Sequence, residues 1–242
     1  MINIKQCAIG STPCEVCRGK SCIKRTPLLS SLNRQEIEKI SEGVIFKNYK
    51  AGETVFSIGE KADKLYIVCS GRMKIYKYLT DGHEQILYIY SPGDFIGAFN
   101  LLKEDEFEFS AEALEDMTIS CLTKATFDQI ILKNPTITLK ILEKSYERIK
   151  AVEKLVERLS ASTADEKVAG LLLNLIKDFG TKEKKGIMLN LSINREEMGS
   201  YAGISRETMT RKLKLFKELG YIDFIGSKII LILSEQALKD LL

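Results

Sequence analysis

The sequence predicts an α+β protein in which an antiparallel β-roll is followed by a long helix and then by two short helices and a hairpin. Three observations support this prediction. Short β-branched runs separated by glycines fill residues 44–125, an apolar seam of helical period covers 136–160, and two short helical patterns flank Gly203 ahead of the apolar run 221–233. Each pattern has the length and period of the structure that it predicts.

Length and composition limit the classes of protein that the chain can belong to. Its 242 residues are enough for one or two domains, and 45% hydrophobic with 29% charged residues is the composition of a globular protein. Apolar runs stay below the ~18 residues that a membrane span needs, and the first residues lack the apolar core of a signal peptide. We therefore expect a cytoplasmic protein without a membrane segment. No Ser-His-Asp set, phosphate-binding loop or dinucleotide fingerprint is present, so we do not expect an enzyme.

The changes of pattern along the chain predict four parts. These are a cysteine-rich arm at 1–26, a sensor β-roll domain at 27–135, a dimerisation helix at 136–160 and a winged helix-turn-helix domain at 161–242.

The cysteines are unevenly distributed. Four of the six lie in the arm, at Cys7, Cys14, Cys17 and Cys22. In an intracellular protein this C-x6-C-x2-C-x4-C spacing favours metal or redox chemistry, because thiolates are soft ligands that suit zinc or iron–sulfur clusters. Unligated thiols and redox-switch disulfides are the alternatives that the spacing leaves open. Cys69 and Cys121 lie in apolar, strand-like runs, where a cysteine usually packs as a small hydrophobic residue.

The β-roll is predicted from glycines that recur at regular intervals between apolar runs. A capping box at Asn33 and Glu36 indicates a short helix before it. Apolar runs of strand length then alternate with turn glycines every 8–12 residues, as in an antiparallel sandwich or barrel. We expect positive φ or close backbone approach at these glycines, which are Gly52, Gly59, Gly71, Gly82 and Gly93.

The long helix after Pro135 has apolar residues at alternating spacings of three and four, which is the a/d pattern of a coiled-coil seam. The alternative is an amphipathic helix that lies on its own domain, although such a helix usually carries a wider apolar stripe. We therefore predict a homodimer, with Ser145 as one polar interruption of the seam. Its apolar members are Leu142, Ile149, Val152, Val156 and Leu159.

The C-terminal pattern is that of a winged helix-turn-helix. Thr163 and Asn194 open helices with capping boxes, and Gly180 ends the first of these helices before a lysine-rich loop at 181–186. Gly203 makes the turn between two short helices, as in a helix-turn-helix. The run 221–233 then predicts a hairpin with a two-residue turn at Gly226-Ser227.

The second of the two short helices carries the charge expected of a DNA reader. From 205 to 219 it has five basic and two acidic residues, a net charge of +3, and the DNA phosphates attract such a helix. Glu207 and Arg211 also have the spacing of a simple salt bridge along the helix. Candidate base readers lie at its start, and they are Arg206, Glu207, Thr210 and Arg211. Candidate phosphate contacts are Ser205, Lys212, Lys214 and Lys217.

The chain resembles the CRP/FNR family of bacterial transcription regulators over nearly its whole length. The resemblance rests on KAGETVFSIGEKADKLYIVCSGRMKIY, SPGDFIG and LSINREEMGSYAGISRETMTRKLKLFKELGYI. It implies a β-roll (jelly-roll) of the cyclic-nucleotide-binding type, a dimerisation helix, a palindromic double-stranded DNA site and RNA polymerase as a partner. Members that bind cyclic AMP have a glutamate and an arginine where this chain has Ala98 and Phe109. Since the phosphate and ribose would be left without partners, we do not expect cyclic AMP to bind.

The cysteines resemble those of the oxygen-sensing, FNR-like branch. Cys14, Cys17 and Cys22 match three N-terminal cysteines of that branch, with the second gap one residue shorter, and Cys121 matches a distant fourth. The resemblance implies a 4Fe–4S cluster on these four thiolates, with Cys7 as the alternative ligand, and a switch by oxygen, redox state or nitric oxide. Structural zinc, a haem bound through His83 and another small-molecule effector are the alternatives.

Overall fold

The computed structural model describes residues 27–29, 32–33, 35–36, 43–103, 105–161, 163–226 and 228–242. They form two compact units. The first lies within Met1–Ile75 and Tyr90–Arg148, and the second lies within Tyr76–Ile89 and Ile149–Leu242.

In the part of the chain that the structure describes, eight strands build two four-stranded sheets, in the orders β1-β8-β3-β6 and β2-β7-β4-β5. Their pairings are antiparallel wherever a register is defined. This confirms the predicted β-roll and its strand runs. The strands are β1 (Val44–Tyr49), β2 (Thr54–Phe56), β3 (Lys64–Ser70), β4 (Met73–Tyr78), β5 (Glu84–Tyr90), β6 (Phe95–Ile96), β7 (Ser110–Ala113) and β8 (Met117–Thr123).

All five of the predicted turn glycines have positive φ. Gly71 shows why the residue type is needed, since its φ is +73° and a Cβ added there would lie 2.5 Å from the Cβ of Met117. A side chain would therefore be strained and would also collide with β8.

Within the described residues, the helical segments whose bounds are defined in this part of the chain lie beside the sheets. They are a short 3-10 helix at Pro27–Leu29, α1 (Ala98–Lys103), α2 (Lys124–Lys133) and the long α3 (Pro135–Ser160). The predicted capping box is present, because Asn33 and Glu36 exchange two backbone-to-side-chain hydrogen bonds of 2.8 and 3.0 Å. Among the helices of the described residues, none has the length and hydropathy to cross a membrane.

The helices bury one face of the first sheet. Leu65, Ile67 and Leu122 on β3 and β8 pack with Leu28 and Leu29 of the 3-10 helix in one core cluster. The other members of the cluster come from the segment after the 3-10 helix, from α1, α2 and α3, and they are Leu32, Ala98, Leu101, Phe127, Ile137 and Ile141. The chain that leaves the cysteine-rich arm thus packs on this helical side of the sheet.

The second unit combines helices with a third sheet, in the order β11-β12-β10-β9. Its predicted caps are present, since the side chains of Thr163, Asn194 and Ser205 accept hydrogen bonds from the first turns of their helices. The elements are α4 (Ala164–Phe179), β9 (Gly180–Glu183), β10 (Gly186–Asn190), α5 (Arg195–Ala202), α6 (Arg206–Glu218), β11 (Ile222–Ile225), β12 (Ile229–Ile232) and α7 (Glu235–Lys239).

Two local predictions in this unit are wrong. The lysine-rich stretch 181–186 is not a loop, because β9 and β10 pair across it and extend the sheet. The wing turn has three residues instead of two, since Ile225 pairs with Ile229. That register places Ile222 opposite Ile232 and joins two buried side chains on one face; a shift of one residue would turn one strand over.

Candidate nucleic-acid interface and cysteine sites

The helix-turn-helix is built by α5, Gly203 and α6. Gly203 is in the left-handed region with φ +67°, and a Cβ there would lie 2.6 Å from Cδ2 of Leu159. The left-handed turn therefore favours glycine, and a side chain there would also displace the end of the Leu159 side chain. The Ser205 hydroxyl accepts a hydrogen bond from the Thr208 amide and caps α6. The buried face of α6 consists of Met209, Leu213 and Phe216.

The predicted base readers lie together on the exposed side of the α6 N-terminus. Arg206, Glu207 and Arg211 are exposed, and no hydrogen bond or ion pair holds their side chains within the part of the chain that the structure describes. The salt bridge that the Glu207–Arg211 spacing allows is accordingly not formed. Thr210 is exposed too, and its hydroxyl donates to the Arg206 carbonyl oxygen at 2.8 Å. The helix thus presents unpaired charged groups of both signs.

The three lysines predicted as phosphate contacts differ in their surroundings. Lys212 donates to Asp165 of α4 at 2.8 Å, and Lys217 contacts Asp223 of β11 at 2.8 Å. Lys214 is 79% exposed and lies 3.9 Å from Glu218. Lys214 is therefore the most available of the three for a phosphate, whereas the other two also tie α6 to its neighbours.

A cation–aromatic contact joins the wing to the helix-turn-helix, and the sequence patterns do not indicate it. The Arg195 guanidinium lies 4.9 Å from the Phe224 ring centre, and the Lys217 ammonium lies 5.5 Å from it. Burial lowers the pKa of Arg195, and the hydrogen bond from Lys217 lowers the pKa of Asp223. Such contacts fix the wing beside α6.

A second contact that the sequence does not indicate lies at Ser200 of α5. Its hydroxyl donates to the Glu84 carbonyl oxygen at 2.6 Å and accepts from the Ile86 amide at 3.1 Å, which satisfies the open edge of β5. The Gln85 side-chain amide, 7% exposed as a residue, donates to the Ser200 carbonyl oxygen at 2.7 Å. We call these hydrogen bonds the α5–hairpin contact. It consists of Ser200 on α5 and of Glu84, Gln85 and Ile86 on β5. Within the second unit it ties the hairpin of β4 and β5 to the first helix of the motif.

The predicted dimer seam on α3 is mostly exposed. More than half of each side chain is exposed at Leu142, Ile149, Val152 and Val156. Tyr146, which is 59% exposed, belongs to the same stripe, although the predicted seam contains its neighbour Ser145 instead. At the polar interruption, the Ser145 hydroxyl donates to the Ile141 carbonyl oxygen of its own helix. Leu159 departs from the stripe: it is half-buried and approaches Gly203.

Of the candidate cluster ligands, the structure describes Cys121. Cys7, Cys14, Cys17 and Cys22 lie outside the described residues. Cys121 is 1% exposed on β8, where burial raises the pKa of its thiol above the usual range. Among the described residues there is no group of three or more His, Cys, Asp or Glu side chains that could hold a metal ion. Any metal centre that includes Cys121 would therefore take most of its ligands from outside the described residues.

The positions matched to cyclic-nucleotide contacts hold apolar groups. Ala98 is buried in the helical core cluster, and the Phe109 ring lies 6.2 Å from the rings of both Phe56 and Phe107. Phe56 and Phe107 stack at 3.8 Å between ring centres. His83 is an exposed turn residue whose amide donates to Asp81 Oδ1 at 3.0 Å.

Comparison with known proteins gives the class of the molecule. A model of the cyclic nucleotide-binding domain matches residues 46–134, and a model of the Crp-like helix-turn-helix domain matches residues 166–241. The nitrogen fixation regulation protein FixK of Bradyrhizobium diazoefficiens is 30% identical over 210 residues, which cover 87% of each chain. The anaerobic regulatory protein of Haemophilus influenzae is 28% identical over 92% of this chain and 84% of its own.

A solved structure agrees with these relatives. FixK2 from Bradyrhizobium japonicum superposes with a TM-score of 0.72 at 25% identity, covering 82% of this chain and 96% of its own. The fold and the matched helix-turn-helix define a DNA-binding transcription regulator and not an enzyme. The chain belongs to the CRP/FNR family, whose members bind DNA and act as dimers.

Proposed function

We propose that this protein is a homodimeric transcription regulator that binds a palindromic DNA site and whose activity is switched by an oxygen-, redox- or nitric-oxide-sensitive 4Fe–4S cluster on cysteines of its N-terminal arm. The observation that carries the DNA-binding half is the surface of α6, where Arg206, Glu207 and Arg211 are exposed and have no partner among the described residues. Unpaired guanidinium and carboxylate groups at the start of a recognition helix are suited to the edges of base pairs.

The reading of DNA follows from this surface. Arginine donates two hydrogen bonds to guanine, and glutamate accepts one from cytosine. We expect half-sites with a T-G-A core about one helical turn apart, whose G·C pairs are read by Arg206, Glu207 and Arg211. Lys214 and the capped N-terminus at Ser205 would hold phosphates, and Lys212 and Lys217 would do so beside their carboxylate partners.

The sensing half rests on the arm and on the relatives. Cys14, Cys17 and Cys22 would supply three thiolates, and Cys121 and Cys7 are the candidates for the fourth. A 4Fe–4S cluster, when bound, supplies an oxidant-sensitive centre held by thiolates. The FNR-like relatives, such as the anaerobic regulatory protein of Haemophilus influenzae, favour this cofactor. We expect the protein to act in the cytoplasm together with RNA polymerase.

Other effectors have less support. Structural zinc would use the same thiolates of the arm. Cyclic AMP is disfavoured because Ala98 and Phe109 offer no polar group to its ribose and phosphate. Haem would need His83, which sits in an exposed turn beside Asp81.

Anaerobic purification of the full chain tests the proposal. We expect a brown protein with iron and sulfide, whose visible absorption bleaches in air and whose affinity for a palindromic DNA duplex changes at the same time. A colourless protein with stoichiometric zinc, and with the same DNA affinity before and after air, would exclude the sensing half. If the protein bound the palindromic duplex no better than unrelated duplexes, the proposed sequence-specific DNA binding would be excluded, whatever the result for the cluster.

A further inference from the structure

Lys217 lies on the same side of α6 as a candidate base reader. Thr210 and Lys214 precede it by seven and three residues, which are spacings that place side chains on one side of a helix. All three residues are exposed. DNA that lies against Thr210 would therefore bring its phosphates towards both lysines.

The Lys217 ammonium is already held by β11, the first strand of the wing. Its Nζ lies 2.8 Å from Oδ1 of Asp223 and 5.5 Å from the centre of the Phe224 ring. The same Asp223 oxygen accepts a hydrogen bond from the Phe224 amide at 2.8 Å, so the backbone of β11 also orients the carboxylate. The hydrogen bond from Lys217, together with the one from the amide, lowers the pKa of Asp223, and its carboxylate is charged at neutral pH.

The strand that carries this carboxylate is fixed on both sides. Asp223 pairs with Leu231 of β12 in the sheet. On the side of α5, the Arg195 guanidinium lies 4.9 Å from the Phe224 ring centre, and its Nη1 donates to Sδ of Met198 at 3.3 Å. DNA therefore has to reach Lys217 while the carboxylate stays beside it.

Lys214 is not held in this way. Its side chain is 79% exposed and its ammonium lies 3.9 Å from Glu218, beyond hydrogen-bond distance, whereas the Lys217 side chain is 49% exposed. A phosphate that meets Lys214 finds an ammonium without a bound carboxylate. A phosphate that meets Lys217 has to replace a carboxylate at 2.8 Å and to approach its negative charge.

We propose that Asp223 competes with a DNA phosphate for Lys217 and so weakens the binding of this protein to DNA of any sequence. The inference rests on the DNA-binding half of the proposed function and adds to it a residue that opposes binding. Asp223 is a positioning residue, since it acts on DNA through Lys217. Binding to unrelated DNA depends almost wholly on phosphates, so a competing carboxylate limits this background while base contacts still select the specific site.

Asp223→Asn tests the competition, because it removes the charge and keeps an oxygen that can accept from the Phe224 amide. Fluorescence anisotropy of the full chain with the palindromic duplex and with an unrelated duplex, over a series of salt concentrations, measures the result. We expect the affinity for both duplexes to rise by about two- to fivefold per subunit, which is the range of an exposed ion pair. The slope of log affinity against log salt should steepen by up to about one unit per subunit.

Glu235→Gln is the matched control, since it makes the same change of net charge and removes an ion pair of 2.6 Å with Lys239. This pair lies on α7, which follows Ile232 at the end of β12. Ile232 pairs with Ile187 at the start of β10, and the wing turn lies at the other end of β12. The control should leave both affinities and the salt slope unchanged, and an equal gain in the control would overturn the inference.

Lys217→Gln separates the competition from a structural role of Asp223. In a chain that carries Lys217→Gln, the added Asp223→Asn should give less than half of its gain, and Lys217→Gln alone should reduce the salt slope by less than Lys214→Gln does. Thermal unfolding checks that each variant is folded. A folded Asp223→Asn chain that binds DNA equally or more weakly, or an undiminished gain without Lys217, would overturn the inference. An unchanged protein that does not prefer the palindromic duplex would instead overturn the proposed function, and the gain of Asp223→Asn on unrelated DNA would still be measurable.

Discussion

Single side chains on α6 divide into those free to read bases and those already engaged within the protein. Arg206 and Arg211 project from the exposed start of the helix, whereas Lys212 and Lys217 form ion pairs at 2.8 Å with Asp165 and Asp223. A partly exposed ion pair contributes little to stability and can exchange its carboxylate for a phosphate, so the engaged lysines remain usable. The free arginines need no such exchange.

Arg211→Ala should therefore weaken binding to the intact site by about 1–3 kcal/mol and remove the preference for G·C at one position of each half-site. Fluorescence anisotropy with a set of single-base variants of the duplex, at fixed salt, measures this. Lys214→Ala is the control, because loss of a phosphate contact should weaken all duplexes alike and reduce the salt dependence by about one unit of slope. A uniform loss for Arg211→Ala would make Arg211 a phosphate contact.

The sequence identifies the charged residues of α6 but not their partners. Lys212 and Lys214 are two lysines of the same helix, only two residues apart, and the sequence does not distinguish them. The packing of α4 against α6 places Asp165 beside Lys212 and not beside Lys214. The same holds for Arg195, whose contact with Phe224 joins segments about thirty residues apart. Pairings of this kind depend on tertiary structure, which residue spacing does not contain.

Among the helices that the structure describes, α3 has the largest exposed apolar stripe. Leu142, Tyr146, Ile149, Val152 and Val156 are each more than half exposed, which is unusual for one face of a helix in a protein that would act alone. Tyr146 extends the predicted seam, since its spacing of three and four from its neighbours places it on the same side.

Ile149→Glu should convert the dimer to monomers, because it would place a charge at the centre of an apolar seam. Sedimentation velocity at micromolar concentration measures the change. Lys154→Glu makes a charge change on an exposed residue that lies outside the stripe, and it should leave the dimer intact. If both variants dissociate, charge repulsion explains the result and the seam assignment is wrong.

The α5–hairpin contact is the other element-to-element feature with a measurable consequence. Ser200→Ala would remove the two hydrogen bonds that the Ser200 hydroxyl makes to the Ile86 amide and the Glu84 carbonyl oxygen, at a cost of about 1–3 kcal/mol. We expect a lower unfolding temperature and faster hydrogen exchange at the Ile86 amide. Thr181→Ala, at an exposed position on β9, should change stability by no more than about 0.5 kcal/mol, and an equal effect of the two variants would contradict the prediction.

Strands and helices with strong periodicity are predictable here, and short charged ones are not. The β-roll strands and the capped helices follow from apolar runs, glycines and capping boxes. The β9–β10 pair escapes prediction because β9 is a four-residue exposed strand at the sheet edge, where lysines are common. The length of the wing turn also escapes prediction, because it depends on the register of β11 and β12, and several isoleucines of these strands could face the core.

At the scale of the whole molecule, the two features that matter for switching are the cysteines of the proposed sensor and the dimer seam on α3. The cysteine spacing predicts the class of cofactor, whereas the face of the sheet on which Cys121 lies follows from the strand register, since Cys121 and Leu122 lie on opposite faces. Among the described residues of α3, the a/d positions of the seam hold no acidic residue. We expect a seam of this composition to associate without a cofactor.

We therefore expect the cluster-free protein to stay dimeric and to differ from the loaded protein in DNA affinity. An effector can shift an equilibrium only by its differential stability in the two states, so a dimer that is already stable leaves the orientation of the DNA-binding domains as the property to be switched. Sedimentation of both forms at the same concentration should give the mass of a dimer, while anisotropy with the palindromic duplex should separate their affinities. Ile149→Glu supplies the monomer reference. A cluster-free protein that sediments with that reference would show that sensing acts through assembly instead.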